Sequence, residues 1–261
     1  MLSLTTLPLW LSGILVIGPP TLIAMAGPAV IRRYVKLSRL RTNNEIAGFK
    51  FATVGVIYAV LLAFAIIIVW EKFNEADGEV AKEAGAATTV YRLSNGLGAE
   101  QGEALRAALT GYLTATIDKD WPAMEQGKGS GSVTRTLNEV YATLLRLHAN
   151  GSDAIVTAEI LHQLDLVTQA RRGRLVAASG TVPGIVWFVL IGGAVVTISF
   201  TFFFGAENLR AQTVMTGALA LLIFSGLLTV IAIDHPFAGS VKVTPEAIAV
   251  VLEEFAAGAK P

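Results

Sequence analysis

Apolar positions along this chain fall into two patterns. Four stretches are almost continuously apolar: Leu9–Ile31, Ala47–Trp70, Val182–Phe204 and Ala211–Ile233. Each is long enough to cross a bilayer as a helix, which takes roughly 20 residues. Between the second and third stretches the apolar residues recur instead at helical spacing. Phe73, Ala76, Val80, Ala84, Ala87 and Tyr91 share one face, as do Leu105, Leu109, Tyr112 and Thr116. Val133, Leu137, Val140, Leu144 and Leu147 form a third face, and a last helix is predicted over about Asp153–Ala178. The punctuation fits these helices. Asn95-Gly96 reads as a C-cap, Glu125–Ser132 as a flexible loop, and "NGSD" as a stop and start, with Asn150-Gly151 closing and Ser152 capping. Four helices bring the chain back to the side it left. After the fourth stretch, Asp234–Gly239 predicts a turn and Thr244-Pro245 a helix start. The stripe Ile248, Val251, Leu252, Phe255 must then cover either the insert or a neighbouring subunit. The predicted fold class is an all-α membrane protein: four transmembrane helices with a helical extramembrane insert between spans two and three. Its parts are spans one and two (9–70), the insert (71–179), spans three and four (182–233) and an extramembrane tail with an amphipathic helix (234–261).

No Pro and no loop separates the second span from the insert, so one helix is predicted from Asn44 to Leu93. At 1.5 Å per residue it is about 75 Å long. Its membrane half carries a row of small residues, Gly48, Ala52, Gly55, Ala59 and Ala63, spaced to share a face. In lipid such rows let backbones approach closely, here either within the chain or between subunits. Its polar half carries Glu71, Glu75, Glu79 and Glu83 at strict four-residue spacing, an arc of about 120° on the helix. The arc is either a solvated face or, repeated by symmetry, a stack of carboxylate rings around an axial ion path. Lys72 and Lys82 temper its charge, with Lys82 nearer. Span one differs: Pro19, Pro20 and Pro28 predict a kinked or broken helix.

Charge adds a side to this layout. Only 15% of the residues are charged and the net charge is zero, so no attraction to nucleic acid follows. The chain has no Cys, which excludes disulfides and thiolate metal sites. Ala24-Met25-Ala26 has the form of a cleavage site, but the first 31 residues lack Lys and Arg, so a retained span is favoured over a signal peptide. Arg32, Arg33, Lys36, Arg39 and Arg41 crowd the first loop. The positive-inside rule then puts that loop in the cytoplasm, and both termini and the insert outside. Arg171, Arg172 and Arg174, just before span three, argue the other way.

Enzymatic motifs are missing, and neither an enzyme nor a cofactor is expected. "QGKGS" (Gln126–Ser130) lacks the upstream Gly and the strand of a phosphate loop. Glu159 and His162 have E-x-x-H spacing, but His148 and His235 supply no second pair, so no metal site is predicted.

Two stretches, "NEIAGFKFATVGVIYAVLLAFAIIIVWEKF" and "DHPFAGSVKVTPEAI", resemble the bestrophin-like domain family of bacterial and plant membrane proteins, also known as DUF4239. "DKDWP" in the insert and "RR-x-RL" before span three extend the likeness over nearly the whole chain. The resemblance implies distant kinship with bestrophins, which are pentameric anion channels with four spans per subunit and a helical extramembrane body. It also implies a multi-pass protein of the bacterial inner membrane, whose partners are the lipid bilayer, inorganic ions and further copies of itself. The expected function is ion conduction along a path lined by span two and its extension, with the acid row favouring cations. The alternative is a non-conducting scaffold or sensor that binds a partner through its insert. The bestrophin body lies in the cytoplasm, opposite to the charge-based placement of the insert.

Overall fold

A computed structural model describes residues 8–42, 44–149, 153–180 and 182–258. Among them there are helices and connections and no strand. In chain order these are α1 (Leu9–Tyr34), α2 (Leu37–Thr42), α3 (Asn44–Leu93), α4 (Ala99–Ala115), α5 (Trp121–Met124), α6 (Gly131–Ala149), α7 (Ala154–Ala177), α8 (Gly184–Thr201), α9 (Leu209–Ile233) and α10 (Glu246–Gly258). α1, α8, α9 and the long α3 are long and apolar enough to cross a membrane. The chain forms two compact units. One comprises Met1–Glu71, Thr181–Asp234 and Gly239–Val241; the other Lys72–Gly180, His235–Ala238 and Lys242–Pro261.

The membrane unit is held by glycines placed against large side chains. A Cβ at Gly193 of α8 would collide with Tyr58, one at Gly226 of α9 with Leu62, one at Gly217 with Met25, and one at Gly27 with the ring of Phe202. Small residues at crossings are how helices associate where lipid removes the hydrophobic incentive. Phe51 of α3 adds ring contacts to Phe200 and Phe204, at centroid distances of 6.1 and 5.6 Å. At one end the connection after α8 is clamped by side chains. Asn44 exchanges two hydrogen bonds with the backbone of Gly205, and Gln212 donates to the carbonyls of Phe204 (2.7 Å) and Thr201 (3.2 Å). Such partners are needed where water is scarce. Of the two alternatives for span one, kinked or broken, the broken one fails: α1 is one unbroken 26-residue helix with all three prolines inside it.

The extramembrane unit has one apolar core. The predicted faces of α3, α4 and α6 all point into it, and Thr116 is buried. The stripe of α10 covers this core: Ile248, Val251 and Phe255 are buried, and Phe255 stacks on Tyr91 at 3.8 Å. Three local readings change. α3 ends through a 3-10 turn, Ser94–Gly96, with Leu97 N–H donating to the Ser94 carbonyl. Gly96 is not left-handed; the described glycines with positive φ are Gly127, Gly180 and Gly239. α7 is capped by Asp153, whose Oδ1 accepts from the amides of Ile155 and Val156, while Asn150, Gly151 and Ser152 lie outside the described residues. The 125–132 loop is tethered at Ser130, whose amide donates to Asp120 and whose carbonyl accepts from Arg171.

Candidate functional site

The small-residue row of α3 is open within the single chain. Nothing lies within 4 Å of a Cβ built at Gly48 or Gly55, and Ala52, Ala59 and Ala63 are exposed. At about 100° per residue, the row lies roughly 100° around the helix from the buried Tyr58, Ala65 and Val69. The packed face of span two is therefore a different one. Val56, Ile57, Val60, Phe64 and Ile67 are exposed as well, so this helix needs lipid or further protein on most of its circumference.

The acid row is a spiral rather than a line. Each step of four residues turns about 40°, so Glu71 and Glu75 are exposed, Glu79 is half-buried, and Glu83 is fully buried. Twelve residues from Glu71, Glu83 has drifted about 120°, beside Ala76 at about 140° on the core face. Glu83 thus leaves the exposed arc in which the sequence reading placed it. The remaining arc is partly neutralised. Lys72 pairs with Glu75, and Lys82 with Glu79 at 2.7 Å. The hydrogen bond and charge of Lys72 hold the Glu75 carboxyl below its usual range, and those of Glu79 raise Lys82. Glu79 also fills the space left by Gly173, where any Cβ would meet its carboxylate.

Glu83 belongs to a buried charge network. Arg174 donates through Nε to Glu83 Oε2 at 2.7 Å and through Nη2 to Oε1 at 3.2 Å, a two-point fork. Nη2 also reaches Asp120 Oδ2 at 3.3 Å. The Arg174 guanidinium lies 4.7 Å from the ring centre of Trp121, and its Nη1 points at the Met124 sulfur. Tyr112 donates its hydroxyl to Glu83. Arg171 pairs with Asp120 through Nε at 2.9 Å. Two acids and two guanidinium groups therefore balance in the core. Burial alone would weaken the Arg174 charge, but Glu83, with smaller help from Tyr112 and Asp120, offsets this and raises its pKa; burial and then Glu83 push the Tyr112 phenol well above its ordinary value. A π turn, Thr116–Asp120, helps aim the network. Its wider turn slows the rotation of side chains about the axis, and Tyr112, Thr116 and Asp120 are all buried.

This network joins the stretches that carry the family resemblance. Asp120 and Trp121 come from "DKDWP", and Arg171 and Arg174 from "RR-x-RL". Trp121 packs edge-on against Phe237 and donates its indole N–H to the Val243 carbonyl, both from "DHPFAGSVKV". A family model described as Bestrophin-like domain matches residues 18–248. The chain belongs to the Bestrophin-like domain family. Its fold is that of bacterial bestrophin homologues. A crystal structure from Klebsiella pneumoniae matches with a TM-score of 0.74 at 16% identity, covering 93% of this chain and 98% of that one. A point-mutant form of the Klebsiella pneumoniae homologue matches at 0.75 and 14% identity, over 94% and 99%. A crystal structure of a mutant membrane protein matches at 0.73 and 15% identity, over 92% and 96%. No curated protein matches the chain.

Sequence reasoning missed the network because its members are scattered over 91 positions, from Glu83 to Arg174. A signal was present: three Arg in four positions at the polar end of a helix are costly to leave without acids, and they read as topology instead. With Arg171 and Arg174 paired to buried acids, Arg172 is the one of the three that is exposed. Most of the positive charge that opposed the outside placement of the insert is therefore neutralised internally. Glu159 and His162 are both exposed, with Glu159 accepting from Gln163. Among the described residues no cluster of three or more His, Asp or Glu could hold a metal.

Proposed function

We propose that this bestrophin-like protein is the subunit of a closed homo-oligomeric ion channel, with span two and its extension lining the path. The observation that carries the reading is the open small-residue row, Gly48, Ala52, Gly55, Ala59 and Ala63, on a helix whose packed face points elsewhere. Symmetry-related copies close the ring and bring these rows toward a common axis. Five copies is the count the family kinship implies. Beyond the span, Glu71 and Glu75 are the exposed carboxylates able to face that axis, with Glu79 partly so. Rings of carboxylates concentrate cations and repel anions, so the selectivity leans to cations. Lys72 and Lys82 limit the field, and Glu83, buried with Arg174, has no part in it.

The test is reconstitution of the whole protein in planar bilayers with reversal potentials measured across a salt gradient. Glu71→Gln combined with Glu75→Gln is expected to lower cation preference while the oligomer mass in detergent is unchanged. A conducting variant with the same reversal potential removes the acid row from the path. Silence of the wild-type protein across several salts and voltages favours the scaffold or sensor reading. A mass of one subunit in detergent and in nanodiscs overturns the ring.

A further inference from the structure

The membrane unit contains a cavity of about 510 Å³, lined among others by Asn44, Phe51, Phe204, Gln212, Met215 and Leu219. Its volume is that of a small-molecule site. Its polar side chains are engaged by the protein. Asn44 is tied to Gly205, Gln212 to Thr201, Phe204 and Arg32, and Thr201 to Thr216. The wall therefore shows an occupant mostly hydrocarbon and aromatic surface. One end is cationic. Arg32 donates to Gln212 and to the Ala206 carbonyl, both in the lining, and its Nε is buried without a partner. Arg41 crosses Gly205 so closely that a Cβ there would strike its backbone, and it pairs with Glu207, next to Ala206. Arg33, Lys36 and Arg39 lie on the same short segment.

We propose that this cavity holds one acyl chain of an anionic glycerophospholipid, whose phosphate headgroup sits among the Arg32–Arg41 cations. Three features select that occupant. The cavity belongs to helices that stand in lipid, its lining offers few free hydrogen-bonding groups, and Arg32, which contacts that lining, opens a short segment carrying five cations up to Arg41. Clusters of Lys and Arg immediately beside a span are how membrane proteins select anionic headgroups. The inference does not depend on conduction, and it holds for a scaffold as well as for a channel.

The full chain, stripped of lipid in detergent, is incubated with phosphatidylglycerol or with phosphatidylcholine of the same acyl chains, and bound lipid is counted by native mass spectrometry. Phosphatidylglycerol is expected to stay bound through washing and phosphatidylcholine to be lost. Leu219→Trp fills the shaft and is expected to abolish retention. Met215→Trp, at an exposed position on the rim, repeats the test should the first variant fold poorly. Arg39→Gln and Arg41→Gln are each expected to weaken the anionic lipid by about fivefold and leave the zwitterionic one unchanged. Equal retention of the two lipids by the wild type, or unchanged retention in a folded, filled variant, overturns the proposal. A filled variant that loses subunits while the wild type retains no lipid assigns the cavity to a neighbouring copy, and overturns it as well.

Discussion

Replacing Arg174 with Met tests the balance of the buried network. Met keeps a long apolar stem and removes the guanidinium. Glu83 then loses both prongs of the fork, at 2.7 and 3.2 Å, and keeps only the Tyr112 hydroxyl. Asp120 loses a contact at 3.3 Å but keeps Arg171 and the Ser130 amide. Trp121 loses the cation over its ring. Glu83 has no exposure to water, so the dominant cost is one carboxylate stranded in the core. Breaking a buried pair from one side costs about 3–5 kcal/mol. Each kcal/mol is worth roughly 2–4 °C in a domain of 150–250 residues, so the variant should melt on the order of 10 °C lower. The assay is a thermal melt of the full chain in detergent, followed by circular dichroism and by tryptophan fluorescence, to which Trp121 beside the lost cation contributes. Arg174→Lys should recover only part of the loss, because an ammonium cannot form the planar fork. The decisive control is Glu83→Met with Arg174→Met and Tyr112→Phe. An all-apolar replacement removes every stranded group and should restore most of the stability. A melt of Arg174→Met within about 2 °C of the wild type, or a triple variant no better than the single one, refutes this account.

Three further outcomes can be measured. Because the native chain has no Cys, Lys128→Cys in the exposed part of the loop reports topology; reaction with an impermeant reagent on intact cells is expected, and reaction only after lysis places the insert in the cytoplasm. The Tyr112 phenol is pushed well above its ordinary value of 10.0, so its contribution is present below pH 10 and is lost as pH rises above it, where the unfolded chain releases the proton and the folded one does not. Tyr112→Phe should flatten the alkaline limb of the stability curve and cost about 1.5–3 kcal/mol at neutral pH, the worth of a hydrogen bond to a charged group; an unchanged alkaline limb sinks this. Gly193→Leu meets Tyr58 and should destabilise the single chain by about 1–3 kcal/mol, whereas Gly55→Leu meets nothing within it and should leave the melt alone but alter subunit mass or conductance. Equal effects of the two on the melt remove the case for an open face.

How much of this was legible in the sequence depended on how local the information was. The spans, the amphipathic faces of α3, α4 and α6 and the stripe of α10 are periodic, and hydrophobic periodicity translates directly into a helix and its buried side. What the α10 stripe covers was not periodic information; it needed Tyr91 and Phe255 to be brought together across 164 positions. The row of small residues was equally visible, yet packing within the membrane unit uses Gly27, Gly193, Gly217 and Gly226 instead. Each of those takes its meaning from the large side chain opposite, on a distant part of the chain. The acid row shows the limit most clearly. Its four-residue spacing is regular enough to look like one face, and the helical period of 3.6 turns the same regularity into a spiral. Over three steps that small mismatch carries the row from water at Glu71 to the core at Glu83. Because the mismatch accumulates with length, a reading of the row as a set of equivalent rings fails at its last member, which is buried, and leaves its first members as the exposed ones. The path proposed along this helix would therefore take its charge from the residues nearest the membrane, while Glu83, on the same helix with the same side chain, pairs with Arg174 beside Trp121.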